Sequence, residues 1–360
     1  MSRSVFVLLC IAVLVHAQGI VIDHTCTDLS AIPQVWITAV QDNWQSHYAH
    51  TSHGTQLTYG IEFVEDADPF YSVHVEDGYL PDTPGAYCVF DGQENSSYVT
   101  PDMYWESASG LNLTRDVLNN NPELDTSMWC WCCQCDYYSE AQVQAYLDAM
   151  TLLESEYPDV TFIYFTGNAQ GTDSDGYARY QRNNQIRDYC AANNKVLYDF
   201  ADIDCWWYNT STSQWEQHTY SYNGTDVPAE HPQYYGNEYG HTTAESCINK
   251  GKAWWWMMSV LAGWGGTGVA QGESAVNGIP EISFGNPAGM PAVLSVEMPY
   301  SDQFSMSVFD SAGRMVRNLS SRMLDSGKHT FTVDGLSPGM YLISMNCGSS
   351  AVSRRMIVLN

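Results

Sequence analysis

"EAQVQAYLDAMTLLESEYPDVTFIYFTG", residues 140–167, decides the architecture. Val143, Tyr146, Leu147, Met150 and Leu153 recur at helical spacing and form one apolar face. Ser139 stands where an N-cap belongs, and Pro158 closes the helix. "VTFIYFTG" (160–167) then runs β-branched and aromatic, with an unbroken apolar middle. A strand covered on one face alternates; a strand covered on both reads as a continuous apolar run, as in parallel sheets flanked by helices. The stretch therefore predicts a helix feeding a doubly buried parallel strand.

The same grammar extends outward. Downstream, "DGYARYQRNNQIRDYCAANN" (175–194) reads as a helix and "KVLYDFADI" (195–203) as a strand. Upstream, "TSMWCWCC" (126–133) is a buried strand, preceded by a helix-like segment at 101–121 interrupted around Gly110. Before these come "GIVID" (19–23), a helix over 28–44, a strand "SHYAHT" (46–51) and a helix "TQLTYGIEFV" (55–64). Residues 66–101 are rich in Pro and Gly and predict a long irregular surface excursion. "AWWWMMSVLAGW" (253–264) is too short to span a bilayer and reads as a buried helix. Strands separated by helices of this length mean βαβ units and a parallel sheet with helices on both faces.

The ends differ from this body. Residues 1–17 carry one Arg, an apolar run and a small-residue cleavage point, the pattern of a secretory signal peptide. No later run is long and apolar enough for a transmembrane segment. A Gly-rich linker at 266–281 separates the body, 18–265, from a tail, 282–360. In the tail the helical periodicity vanishes and short alternating strands predict a small all-β, Ig-like sandwich. The net charge is −27 with only 14 Lys plus Arg, which excludes a nucleic-acid groove and disfavours an anionic membrane surface. Eleven cysteines occur, ten after the signal peptide. In an exported chain an even number suggests disulfides, and Cys130, Cys132, Cys133 and Cys135 are read that way in preference to a thiolate metal site. No cofactor or metal is expected. The N-x-S/T triplets at Asn95, Asn112, Asn209, Asn223 and Asn318 are not taken as glycosylated.

"VFDSAGRMVRNL" (308–319), "SGKHTFTVDGLSPGMYLISM" (326–345) and the closing "SRRMIVLN" (353–360) resemble the C-terminal sorting domain of the type IX secretion system. That resemblance implies the type IX machinery as a partner, and a destination outside the cell or on its outer surface. In the body, "IDHTCTDLSAIPQVWI" (22–37), "HTSHGTQL" (50–57), "MWCWCCQ" (128–134), "FIYFTGNAQG" (162–171) and "HTTAESCINKGKAWWWMMSVLAGW" (241–264) resemble secreted bacterial proteins with an SGNH-hydrolase-like fold. The implied fold is a three-layer α/β/α, flavodoxin-like domain with its ligand site at the carboxyl ends of the strands.

The implied activity is a serine hydrolase acting on an ester, carbohydrate esters included. Ser52 falls where such enzymes place the nucleophile, at a helix start whose free N–H groups can face a developing oxyanion. His241 is the expected base, with Glu238 three residues earlier as its carboxylate; Asp202 and Asp204 are alternatives for the acid. Gln134 and Asn168 are the candidate oxyanion donors, and Gly110 is a weak stand-in for the loop glycine. His50 and His53 are expected to line the pocket or to support the residues that do, rather than to act as the base, because sequence neighbours at a strand end point to opposite faces. Trp206 and Trp207 are expected to meet a sugar ring. The standard Gly-Asp-Ser signature is absent, so a non-catalytic extracellular binding, adhesion or filament-forming protein on a degenerate hydrolase fold is the alternative.

Overall fold

The computed structural model describes residues 19–265, 281–285, 288–298, 301–310, 314–347 and 350–358. The signal peptide expected at 1–17 and nearly all of the linker lie outside the described residues.

The body is built on a seven-stranded sheet of β1 (Val21–Ile22), β2 (Gln45–His50), β3 (Val73–Asp77), β4 (Tyr87–Asp91), β5 (Thr126–Cys130), β6 (Thr161–Phe165) and β7 (Val196–Tyr198). Their order is β1-β7-β6-β5-β2-β4-β3, and every pairing is parallel. From β2 the chain steps first to one side, through β3 and β4, and then to the other, through β5, β6 and β7. Such a reversal opens a crevice beyond the carboxyl ends of the two strands that flank it, here β2 and β5.

Among the described residues, eight α-helices accompany the sheet: α1 (Gln34–Asn43), α2 (Thr55–Ala67), α3 (Pro101–Tyr104), α4 (Ala108–Asn120), α5 (Glu140–Glu156), α6 (Asp173–Ala192), α7 (Phe200–Cys205) and α8 (Ala244–Leu261). α1, α2 and α8 pack together, and α5 packs with α6. In β6, Phe162, Ile163, Tyr164 and Phe165 are all buried, as a strand covered on both faces requires. α5 starts on the expected cap: Ser139 and Gln142 form a reciprocal capping box. The run of tryptophans at 254–256 is buried in α8. α2 and α8 cross at Gly60 and Gly251, backbone on backbone. A Cβ on Gly60 would lie 2.1 Å from the Cys247 carbonyl oxygen, and one on Gly251 would lie 2.1 Å from the Gly60 carbonyl carbon.

Three expectations need correction. The excursion at 66–101 contains β3 and β4, which extend the main sheet. The break in the 101–121 segment falls at 105–107, where Ser107 caps α4, and Gly110 sits inside that helix against the Asp102 carbonyl. Disulfides do not form among the described residues: Cys26, Cys88, Cys130, Cys132, Cys133, Cys135, Cys190, Cys205 and Cys247 are all free. All but Cys133 are buried, where a thiol behaves as a small apolar side chain.

After β7 come two short antiparallel pairs, β8 (Trp206–Asn209) with β9 (Gln214–Gln217) and β10 (Thr219–Tyr222) with β11 (Thr225–Pro228). The tail forms two antiparallel sheets. One orders β12 (Glu281–Phe284), β13 (Ala292–Met298) and β16 (Gly327–Val333). The other orders β15 (Met315–Leu324), β14 (Asp302–Asp310), β17 (Gly339–Cys347) and β18 (Ser350–Val358). Leu294, Val296 and Phe331 from the first meet Phe304, Met306, Ile343 and Met356 from the second in a core separate from that of the body.

Candidate active site

β2 and β5 lie side by side with His50 opposite Cys130, so the segments leaving them emerge together at the crevice. After His50 the backbone turns at once into a 3-10 turn, Ser52–Gly54, that leads into α2. After Cys130 the chain continues irregularly through Trp131 and Cys132. The two segments meet at sulfur: Ser52 Oγ is 3.3 Å and His53 Nδ1 2.9 Å from Cys132 Sγ.

The other edge of the His53 ring fixes its protonation. His53 Nε2 is 2.9 Å from Gln170 Oε1. The Gln170 amide nitrogen donates to Glu230 Oε1 at 3.1 Å and to the His241 carbonyl at 2.6 Å, so its oxygen is the atom that faces His53. His53 Nε2 must then carry a proton. Nδ1 either accepts from a Cys132 thiol or donates to a Cys132 thiolate.

The electrostatics favour the thiolate. Cys132 is held well below an ordinary thiol by the Cys133 thiol 3.6 Å away, against the opposing effect of burial, and then by the His53 and Ser52 donors. Cys133, exposed and facing that sulfur, is pushed up in turn. Burial alone would lower His53, but its hydrogen bond to Cys132, the sulfur's charge and Gln170 carry it above 6.5. A thiolate–imidazolium pair with a side-chain amide on the far ring nitrogen can perform nucleophilic chemistry.

Both expected oxyanion amides are engaged with the backbone of the site, Gln134 through its oxygen and Asn168 through both its atoms. The Cys132 N–H donates to Gln134 Oε1 at 2.8 Å, and Asn168 Nδ2 donates to the Cys132 carbonyl at 2.8 Å. Asn168 Oδ1 also accepts from the Gln170 N–H at 2.9 Å. Asn168 thus holds the backbones of the nucleophile segment and of the residue that orients His53. His241 comes to the site but does not reach Ser52; its ring lies 4.8 Å from that of His53, and its Nδ1 is on Asn237 Oδ1 at 3.1 Å. It is held there by a backbone turn with Gly240 at φ +58 and His241 itself at φ +72. Glu238 does not orient it; that carboxylate accepts from the Asn237 N–H. Ser52 Oγ has no imidazole partner among the described residues.

The remaining candidates are placed elsewhere. His50 is buried against Asp91 at 3.0 Å. Asp202 accepts from His24, and Asp204 pairs with Lys250 at 2.6 Å. Trp206 and Trp207 lie on the hairpin β8 (Trp206–Asn209) and β9 (Gln214–Gln217), where Trp206 stacks on His24 and Trp207 on His231. Asp23, His24 and Asp202 offer three metal-ligand atoms within 4.8 Å of one another, at a distance from Cys132 along the sheet edge. Cys130, Cys132, Cys133 and Cys135 form no such group among the described residues.

Beside the Cys132–His53 pair lies an open cleft of about 520 Å³, walled by Gln170, Glu230, Tyr235, Asn237 and His241. Cys132, Gln170 and Glu230 were not expected as site residues. The signal available was positional: two Cys/His-bearing segments at the ends of strands that turn out to be neighbours.

Residues 284–359 match the secretion system C-terminal sorting domain family. No curated protein matches the sequence. Among solved structures the chain is similar to the CARDB domain of a Pyrococcus furiosus protein, at 16% identity over 23% of this chain and 87% of that one, with a TM-score of 0.18. It is also similar to the first immunoglobulin domain of mouse SynCAM 2, at 13% identity over 21% and 91% of the two chains, with a TM-score of 0.16. An engineered protein matches at 10% identity over 96% and 100%, with a TM-score of 0.25. Scores of this size carry no argument. The sorting domain directs the protein, by the type IX machinery, to the cell surface or the extracellular space.

Proposed function

We propose that the exported body is a hydrolase of esters whose nucleophile is Cys132, on an SGNH-like, flavodoxin-type frame. Taken in the order β4-β2-β5-β6-β7, the central strands read 2-1-3-4-5, which supports that frame. The observation that carries the activity is the 2.9 Å contact between His53 Nδ1 and Cys132 Sγ, with Gln170 on the opposite ring nitrogen. The thiolate attacks the ester carbonyl carbon. His53 gives its Nδ1 proton to the leaving alcohol oxygen, and a thioester to Cys132 remains. Water, deprotonated by His53, attacks that thioester and releases the acid and the thiolate. Gln170 keeps the ring oriented throughout, as the third member of a Cys-His-amide arrangement does. The Ser52 hydroxyl supports the resting sulfur and is near enough to turn toward the oxyanion.

Cys132→Ala should abolish hydrolysis of a small activated ester, whereas Ser52→Ala should lower kcat by about a hundredfold, as loss of one oxyanion donor does. Iodoacetamide should modify Cys132 first, at a rate that stays high well below the pH of an ordinary thiol. Full activity in Cys132→Ala with none in Ser52→Ala would return the nucleophile to the serine. The second reading, a non-catalytic glycan binder, is favoured by the partly exposed Trp206, Trp207 and Tyr208 on the β8–β9 hairpin. It gains if the wild type cleaves no ester while Trp207→Ala loses binding on a glycan array.

A further inference from the structure

Glu230 differs from every other buried charge around the site. Asp204 has Lys250 at 2.6 Å, Asp136 has Arg179 at 3.4 Å, Asp199 has Arg187 at 2.6 Å, and Cys132 has His53. Glu230, only 6% exposed, has no ion-pair partner among the described residues. Its Oε1 accepts from Gln170 and from Thr242 Oγ1, both at 3.1 Å, and its Oε2 has no hydrogen-bond partner among the described residues. The carboxylate forms part of the cleft wall, where no Lys or Arg lines the opening. A buried charge without a partner is costly and is stabilised by whatever cation can reach it.

We propose that the cleft binds a substrate bearing a cationic group, an ammonium or guanidinium, on Glu230 while its ester carbonyl lies at Cys132. The position of the carbonyl rests on the hydrolase reading; the cation site does not. Glu230 is linked through one amide, Gln170, to the His53 ring, so the charged end of the substrate and its reacting end are gripped by one connected set of side chains. Burial and then the Asp204 charge push Glu230 up to about 7, against the opposing effect of Lys250 and the two hydrogen bonds. The titratable and charged groups around it are Asp204 from α7 and Lys250 from α8, with Tyr235 and His241 on the same cleft wall and His53 one amide away through Gln170. A carboxylate raised in this way is charged above its pKa and neutral below it. Cation binding should therefore be present above about pH 7 and fade as the pH falls through it.

The test is an NMR titration of the full chain with ethylguanidinium and, as its neutral counterpart, ethylurea. The cation should bind at least about tenfold tighter, the scale of a charge-assisted hydrogen bond. Glu230→Gln, which keeps an oxygen for Gln170 and Thr242, should bring the two ligands level. Cys132→Ala should leave cation binding intact, and Cys132 alkylation separately reports on the nucleophile. Should Glu230→Gln not fold by near-ultraviolet circular dichroism, the loss of wild-type binding below about pH 7 tests the same carboxylate. Equal binding of the two ligands, no binding of the cation, or a pH-independent preference overturns the proposal, whether or not Cys132 is reactive.

Discussion

His47 and His50 occupy one strand, two places apart, and are driven in opposite directions. His47 is fully enclosed, with Nδ1 on Ser127 Oγ and Nε2 on the Gly92 carbonyl, both at 2.8 Å. Burial pulls it from 6.5 down to about 4. Its neutral form belongs to the folded state, so stability is lost as the pH falls from 6.5 toward 4, by about 3 kcal/mol in all. NMR should find its ring neutral down to about pH 4; a midpoint near 6.5 would contradict the enclosure. Burial also opposes a charge on His50, but Asp91 more than offsets it and the value is raised. Its contribution is complete below 6.5 and is lost as the pH rises through the folded value. Asp91→Asn should cost about 3 kcal/mol or more in urea unfolding, since it leaves the imidazolium without its partner. At this scale the sequence was legible in position and not in pairing. Ser52, His53 and Asn168 all lie at the crevice, as expected from strand ends. β2 stops at His50, and beyond it a 3-10 turn carries His53 onto the sulfur of Cys132, a pairing that the residue pattern does not reveal.

The elements that announce themselves are those with a cap and a periodicity. α5 and β6 follow the expected pattern because Ser139, the apolar face and Pro158 all point one way. β3 and β4 were hidden because Gly78, Pro81, Pro84 and Gly85 lie between them and each strand has only five residues. "YCVFD" (87–91) is buried throughout and reads as a strand only once its parallel neighbour β2 is known. The helix crossing at Gly60 and Gly251 was equally silent, since a glycine within a helix does not reveal what approaches it. Gly60→Ala or Gly251→Ala should destabilise the body by about 3 kcal/mol or more, because backbone, not a yielding side chain, occupies the space. Gly85→Ala meets nothing within 4 Å and is strained only by its φ of +77, so it should cost about 1 kcal/mol. Urea denaturation of the three variants checks the order.

On the scale of the whole molecule the two cores are distinct, and the tail alone carries the sorting signature. Removing residues 282–360 should leave a body that melts cooperatively but stays in the periplasm. Normal release into the medium would show that sorting information lies elsewhere. The cysteine count misled because compartment was weighed above geometry: most of these thiols fill the core, and among the described residues only Cys133 is exposed. A thiol assay on the native protein should find Cys132 reacting first, the exposed Cys133 more slowly, and Cys26, Cys88, Cys130, Cys135, Cys190, Cys205 and Cys247 only on unfolding. The glycine crossing has one more consequence, in the time domain. It joins a helix near the start of the body to the helix that ends it, so no fragment lacking α8 can complete the packing of α2. Contacts between distant parts of a chain form late and slow folding. The body therefore acquires its site only after nearly all of it has emerged, and the turn bearing Ser52 and His53 settles with the last helix to arrive.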